Sequence, residues 1–348
     1  MRNYKDHLIK QGASIKEALP MLDTLASDAI LFVIDDYDIL IGSLTDGDVR
    51  RGLMKGMDTS NLVDEIIQPN PRYIDKNNYS IEQIIQYRKD SYKIIPVTDS
   101  SLKVINVINF TYIRSYLPVD ALIMAGGRGS RLRPLTDEIP KPLLKVGNKP
   151  IMEHNLDRLR KFGVDDFWVS LHYKGEQIEA YFGNGADRQV NIEYVWENKP
   201  MGTIGAVSSI DNFKHQYLLI TNSDLLTNMD YEDFFLNFID NDADMAVATI
   251  PYSVEVPYAV METSNNHVLS FREKPTYTYY SNAGIYLIKK ELLGLIPKDS
   301  FYNSTDLMQK VIEKGLKLVS YPLRSYWLDI GKHEDFQKAN SDINHLEF

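Results

Sequence analysis

The sequence predicts two α/β domains in one chain: a large Rossmann-like domain on a mostly parallel mixed sheet, preceded by a smaller α/β domain. Three observations lead there. The chain has 348 residues, too many for one ordinary core. From residue 119 onward, apolar segments of strand length alternate with segments of helical period. Before residue 117 a shorter strand–strand–helix theme occurs twice, each copy about sixty residues long, which reads as an internal duplication. The expected domains are 1–116 and 117–348.

In the first domain, Ala29–Ile34 and Ile39–Leu44 are apolar runs of strand length, and Asp46–Lys55 has helical character. Gln68-Pro69-Asn70-Pro71-Arg72 interrupts the pattern. Ser80–Lys89 is helical in period, Ile94–Val97 and Val104–Ile108 are strand-like, and Thr111–Tyr116 closes the unit. Leu117-Pro118 marks the boundary, and Val119–Met124 is a buried strand. Asp166–His172, Gln189–Trp196, Tyr217–Thr221 and Asp244–Ile250 are expected as strands, with Met152–Phe162, Tyr231–Asp240 and Thr305–Lys314 as helices. Ligands of such sheets bind beyond the carboxyl ends of the strands, so functional residues are expected just after them.

Composition narrows the function classes. Hydrophobic residues make up 44% and charged residues 25%, as in a soluble globular protein. No apolar run is long enough to span a bilayer, and Met1-Arg2-Asn3-Tyr4-Lys5-Asp6 lacks the apolar core of a signal peptide. With no cysteine, disulfides, thiolate metal sites and a cysteine nucleophile are excluded. A cytoplasmic protein is expected. The net charge of −10 and the lack of a densely basic window argue against nucleic-acid binding. An acidic protein can still bind phosphates where a few cations meet in one cleft.

Such a concentration follows Val119–Met124. Gly126, Gly127 and Gly129 let the backbone approach a ligand closely, with amides free to face phosphate oxygens. Arg131 offers a planar donor fork, and Lys141 is held between Pro140 and Pro142. No Gly-Lys-Ser/Thr follows, so this is not a Walker A loop, and the dinucleotide fingerprint spacing is also missing. Asp224 ends the apolar run Tyr217–Ser223, and Asp329 stands in Trp327-Leu328-Asp329-Ile330-Gly331 before a helix near His333. Each aspartate taken alone reads equally as a turn cap or as a metal ligand. His154, His172 and His267 show no partner pattern and read as ordinary histidines.

The string Ala125–Thr136 with Pro140–Leu144 resembles the signature of the nucleotidyltransferases that make nucleoside-diphosphate sugars, and the likeness runs from residue 119 to about 343. It implies a GT-A-like domain in which Gly126 and Gly127 wrap the triphosphate, Arg131 contacts the phosphates and Lys141 stabilises developing charge. It also makes Asp224 and Asp329 a pair of Mg²⁺ ligands. Glu197-Asn198-Lys199-Pro200-Met201-Gly202-Thr203 resembles the base-binding turn, with Gly202 and Thr203 near the base. Glu197 could accept from guanine N1 and N2, which favours GTP. Phe271–Pro275 and Ser281–Tyr286 resemble the sugar-side motifs. There Glu273 and Asn282 would bond sugar hydroxyls, Lys274 would hold the sugar phosphate, and Gly284 would leave room for the ring.

In the first domain, Ile41–Arg51 resembles the ligand end of a cystathionine-β-synthase (CBS) repeat. Gly42, Thr45 and Asp48 would then form a regulatory nucleotide site, with Thr45 on a phosphate and Asp48 on a ribose. The plain alternative is a helix cap made by Thr45 or Asp46. The second copy, Val104–Phe110, lacks the glycine, threonine and aspartate, so at most one nucleotide per pair is expected. CBS repeats ahead of this catalytic domain resemble the glucosamine-1-phosphate guanylyltransferases of bacterial legionaminic acid synthesis. The resemblance implies a Mg²⁺-dependent enzyme that takes GTP and glucosamine-1-phosphate, releases pyrophosphate and works as a homo-oligomer. Mannose-, heptose- and glucose-1-phosphate are alternative substrates, and a sensing homologue without catalysis is the alternative class. Retention of Arg131, Lys141, Asp224 and Asp329 argues against loss of catalysis.

Overall fold

A computed structural model describes residues 3–346; the ends of the sequence, including Met1 and Arg2 of the Met1–Asp6 amino terminus, lie outside the described residues. The chain divides into two compact units. The first comprises Met1–Pro118 with the short segments Arg160–Val164 and Asp187–Gln189, and the second comprises the rest.

The first unit holds two small sheets. Strands β1 (Leu8–Lys10), β2 (Ile30–Ile34), β3 (Leu40–Thr45) and β4 (Gln68–Pro69) form one, and β5 (Ile74–Asp75), β6 (Ile94–Thr98) and β7 (Val104–Asn109) form the other. Helix α1 (Ile15–Leu25) joins β1 to β2, α2 (Asp46–Met54) follows β3, and α3 (Ile81–Lys89) joins β5 to β6. The repeated theme is therefore strand–helix–strand–strand. In both copies the first pair is parallel and the second antiparallel. The second copy has no counterpart of α2, and Thr111–Tyr116 forms turn and bend. Helix α1 lies before the first strand that the sequence singles out, and Pro20 inside it argues for a break. Two forces outweigh that proline. Ile15, Ala18, Leu22 and Leu25 form a buried stripe at helical spacing. Ser14 and Glu17 close a capping box, Glu17 accepting from the Ser14 amide at 2.7 Å.

The second unit is built on seven strands in the order β12-β11-β8-β13-β18-β15-β19. These are β8 (Val119–Met124), β11 (Asp166–Leu171), β12 (Asn191–Trp196), β13 (Tyr217–Asn222), β15 (Met245–Glu255), β18 (Thr276–Lys289) and β19 (Leu318–Pro322). Only β18 runs against its neighbours, so the sheet is mixed but mostly parallel. The central strand β8 is apolar and buried almost throughout, as a strand covered on both faces must be. Short pairs β9 (Lys145–Val146) with β10 (Lys149–Pro150), and β14 (Leu225–Thr227) with β20 (Trp327–Asp329), lie outside the sheet. The helices are α4 (Leu135–Glu138), α5 (Ile151–Lys161), α6 (Gly175–Phe182), α7 (Tyr231–Asp240), α8 (Ser304–Glu313) and α9 (His333–Asp342). Residues such as Leu122, Ile220, Met245, Ile288, Leu307 and Val311 share one apolar cluster. Strands β15 and β18 run beyond the sheet as a two-stranded ribbon. Its tip carries the hairpin β16 (Val260–Ser264) and β17 (His267–Arg272).

One polar group sits inside β8. Asp120 is 1% exposed and its Oδ2 accepts from the His215 amide at 2.7 Å. Burial pushes its carboxyl up to about 6 against the ordinary 3.8. A carboxyl raised in the fold stabilises below its unfolded value and loses that contribution as pH rises through its folded value. The fold therefore carries a charge penalty of roughly 3 kcal/mol at neutral pH. Asp120→Asn keeps the acceptor and removes the charge. Thermal unfolding should find this variant more stable than wild type at pH 8, with the gap closing as pH falls toward 4.

Candidate active site

The carboxyl ends of β12, β11, β8 and β13 lie side by side, because these four strands are parallel neighbours. Glu197 follows β12, His172 follows β11, the glycine loop follows β8, and Asp224 follows β13 after Ser223. A cavity of about 380 Å³ opens there. Its lining includes Gly126, Gly127, Lys141, Glu197, Gly202, Thr203 and Asp224. A second cavity of about 300 Å³ is lined by Asn282, Gly284, Trp327 and Asp329 among others, and it shares Thr203 and Asn222 with the first. Residues more than 200 positions apart thus meet at two adjoining cavities.

The charged centre is Lys141. Its buried side chain forms an ion pair with Asp224. Asp329 is placed nearby by the antiparallel pairing of β14 and β20, in which Leu225 faces Asp329, and the Ile330 amide donates to the Asp224 carbonyl at 3.0 Å. Burial, then the Asp224 charge, raises the Asp329 carboxyl above its ordinary range, against the pull of Lys141 and Arg131. One oxygen of each aspartate, Oδ1, is buried without a hydrogen-bond partner. Two adjacent carboxylates with unsatisfied buried oxygens are a donor set suited to a hard divalent cation. A different trio, Asp165, Asp166 and His215, also brings ligand atoms within 4.8 Å of one another. It lies at the amino-terminal end of β11, away from the cavities, and Lys214 already pairs with Asp166.

Arg131 and Gly129 line neither cavity. Arg131 is exposed, and its guanidinium acts on Asp329 through its charge. Gly129 has φ of +61°, and a Cβ there would stand 3.0 Å from the Lys141 Cβ, so it shapes the loop around the lysine. Glu197 is buried in the cavity wall with its carboxylate already engaged. Oε1 accepts from the Ser170 hydroxyl and Oε2 from the Met201 amide at 3.0 Å. It therefore pins the turn that presents Gly202, while each oxygen retains a further lone pair. Thr203 Oγ1 accepts from the Ser304 amide at 2.9 Å, tying that turn to the start of α8. Asn282 Nδ2 donates to the Tyr286 hydroxyl at 2.8 Å. Glu273 and Lys274 are not brought to either cavity: both are exposed, beside the ribbon hairpin.

His172, expected from the sequence as an ordinary histidine, lines the larger cavity, with Nδ1 3.1 Å from the Glu197 carbonyl. Arg128, Asn222 and Trp327, which the sequence does not single out, also line the cavities. The signal that could have found His172 and Asn222 is their position at strand ends.

In the first unit, Gly42 lies in β3, and Thr45 and Asp48 stand at the start of α2. Asp48 is 3% exposed and accepts from the Thr45 amide at 2.9 Å, from the Thr45 hydroxyl, from Arg51 and from Gln68 at 2.7 Å. Burial would raise its carboxyl, but these donors outweigh burial and hold it below the ordinary range. Its carboxylate thus closes the capping box at the start of α2, with Thr45 as the N-cap residue.

With this geometry in view, a family model described as nucleotidyl transferase matches residues 120–345. The chain belongs to the nucleotidyl transferase family. Among curated relatives, the D-glycero-α-D-manno-heptose 1-phosphate guanylyltransferase of Aneurinibacillus thermoaerophilus is 32% identical over 232 residues, covering 65% of this chain and 99% of the relative. The mannose-1-phosphate guanylyltransferase of Mycobacterium tuberculosis is 29% identical over 231 residues, covering 65% of this chain and 64% of the relative. The crystal structure of HddC from Yersinia pseudotuberculosis superposes with a TM-score of 0.50 at 26% identity, over 65% of this chain and 99% of that one. The α/β fold of this nucleotidyl transferase matches its structural neighbours over the larger unit. Among the described residues, no helix is long and apolar enough to cross a membrane.

The cavity wall tolerates little at Gly284. Its φ is +74°, and a Cβ would stand 2.6 Å from Asn222 Nδ2. Gly284→Ala should lower stability by about 1–2 kcal/mol. Gly127→Ala, where a Cβ meets nothing within 4 Å, should leave the melting temperature unchanged. Thermal melts of the two variants side by side provide the check.

Proposed function

We propose that this chain joins a sugar-1-phosphate to a nucleoside triphosphate and releases pyrophosphate. The observation that carries this reading is the meeting of Lys141, Asp224 and Asp329 between two adjoining cavities at the strand ends. The larger cavity takes the nucleotide, with Gly126 and Gly127 along the triphosphate and Gly202 and Thr203 against the base. The smaller takes the sugar, with Asn282 on a hydroxyl and Gly284 leaving room for the ring. Two relatives that are guanylyltransferases favour GTP, although a relative from Synechocystis is a UTP–glucose-1-phosphate uridylyltransferase. Glucosamine-1-phosphate, as in legionaminic acid synthesis, is our first substrate, followed by heptose-, mannose- and glucose-1-phosphate.

The sugar phosphate oxygen attacks the α-phosphorus and pyrophosphate leaves from the opposite side, so no residue needs to form a covalent bond. Lys141 places a buried cation where charge accumulates, and Arg131 adds a second from the loop. Asp224 and Asp329 would hold Mg²⁺, which supplies neutralisation of the reacting phosphates. The glycine loop orients the triphosphate and the cavity walls exclude water. The test is pyrophosphate release with GTP, Mg²⁺ and a panel of sugar-1-phosphates. A sensing homologue would bind nucleotide and release none. Lys141→Ala should lower kcat on the order of 10²-fold with a smaller change in KM, since a cation aimed at developing charge acts mainly in the transition state. Asp224→Asn should lose at least as much. A raised KM with unchanged kcat would reduce Lys141 to a binding role.

The first unit acts as a CBS pair that senses one nucleotide beside Gly42 and Thr45, at the amino terminus of α2. Two copies of one pairing pattern support this reading. Calorimetry with adenine nucleotides on the full chain should detect binding outside the catalytic cavity, changing substrate affinity several-fold, within the usual coupling of about 1–3 kcal/mol. If no second nucleotide binds, the unit is an assembly element.

A further inference from the structure

Phe301 is a large aromatic side chain that the core of the second unit does not use. It stands in the loop ahead of α8, is 62% exposed, and lines the larger cavity. The backbone on either side of it is clamped. The Tyr302 amide donates to the Met201 carbonyl at 3.0 Å, and the Tyr302 carbonyl accepts from the Ile204 and Gly205 amides, both at 3.1 Å. The Thr203 amide donates to Asn303 Oδ1 at 3.3 Å. Two close approaches along this contact need glycine. A Cβ at Gly202 would stand 2.5 Å from the Tyr302 carbonyl oxygen, and a Cβ at Gly205 would stand 2.6 Å from the Ser300 carbonyl oxygen. Ser300 and Tyr302 are thus pressed onto the turn that carries Gly202 and Thr203, and Phe301 is the residue between them.

A phenyl ring in water forgoes the burial of roughly 150–250 Å² that an aromatic side chain can reach. A fixed backbone that presents such a ring at a cavity wall offers a flat apolar face with nothing yet laid on it. The neighbouring wall is also uncharged, made by Pro200, Met201 and Gly202. Glu197, whose Oε2 holds the Met201 amide, adds a carboxylate with lone pairs to spare. A face for stacking and an acceptor for ring N–H groups are together what a nucleobase needs.

We infer that Phe301 is the stacking platform for the nucleotide's base and makes this cavity select purine over pyrimidine triphosphates. An aromatic face can hold any base, and two fused rings cover more of it than one. Glu197 then serves the edge of the base and Phe301 its face. This rests on the larger cavity taking the nucleotide, as proposed above.

Equilibrium binding in the absence of sugar phosphate tests this, with GTP, UTP and inorganic tripolyphosphate as probes. The exposed Phe301 ring supports no core, so Phe301→Ala should melt at the wild-type temperature. It should bind GTP on the order of tenfold more weakly than wild type, UTP with a smaller loss, and tripolyphosphate equally well. Phe301→Trp should retain GTP affinity, and its added indole fluorescence should be quenched by GTP and not by tripolyphosphate. An unchanged GTP affinity in Phe301→Ala overturns the stacking role while leaving the nucleotidyltransferase reading intact. Equal losses for GTP and UTP overturn purine selection, and an equal loss for tripolyphosphate reduces Phe301 to a support for the loop. A wild-type chain that binds neither nucleotide overturns the assignment of the cavity itself, and the stacking role with it.

Discussion

The ion pair between Lys141 and Asp224 is the contact on which the site depends. A buried ammonium is tolerable only with a partner, and a buried carboxylate beside a second one is tolerable only with a cation. Lys141 meets both conditions at once. It is held in place from either side: Pro140 and Pro142 restrict its backbone, and Gly129 packs against its stem. Asp224 is delivered by β13, and Asp329 by a separate two-stranded pairing outside the sheet. The remaining strain, two unsatisfied carboxylate oxygens and a raised Asp329 carboxyl, is concentrated where phosphates and a cation would relieve it.

The polar groups around this pair serve as structure before they serve as recognition. Glu197 anchors the Met201 amide, Thr203 anchors the start of α8, and Asn282 anchors Tyr286. Each side chain belongs to a segment that resembles a substrate-binding turn. Each spends part of its hydrogen-bonding capacity on its own fold and turns what remains toward a cavity. Asp48 is the extreme case. Four donors and near-complete burial commit its carboxylate to capping α2. What remains to face a ligand at that helix start is backbone together with Thr45.

The ribbon is the one part of the second unit that does not follow from packing within the chain. Elsewhere, apolar residues at alternating or helical spacing find a core, as in β8 and α7. Along β15 the same alternation runs past the sheet edge without anything to bury against. Sequence patterning marks a strand by its period and leaves its covering partner unspecified.

Much of this was present in the sequence by itself. The strand Val119–Met124, the alternation that follows, the glycine loop with Lys141, and Asp224 at a strand end were legible because each rests on local chemistry. Period sets the element, glycine sets the close approach, and strand ends of a parallel sheet set the place of the ligands. The tertiary structure decided what depends on distant residues meeting. It paired Leu225 with Asp329 across more than a hundred positions, brought His172, Asn222 and Trp327 to the cavity walls, and turned Glu197 inward to Ser170. It also carried Glu273 and Lys274 away from the cavity along an exposed ribbon. Spacing along a chain measures contour length, and a long strand converts that length into separation where a turn would have converted it into contact.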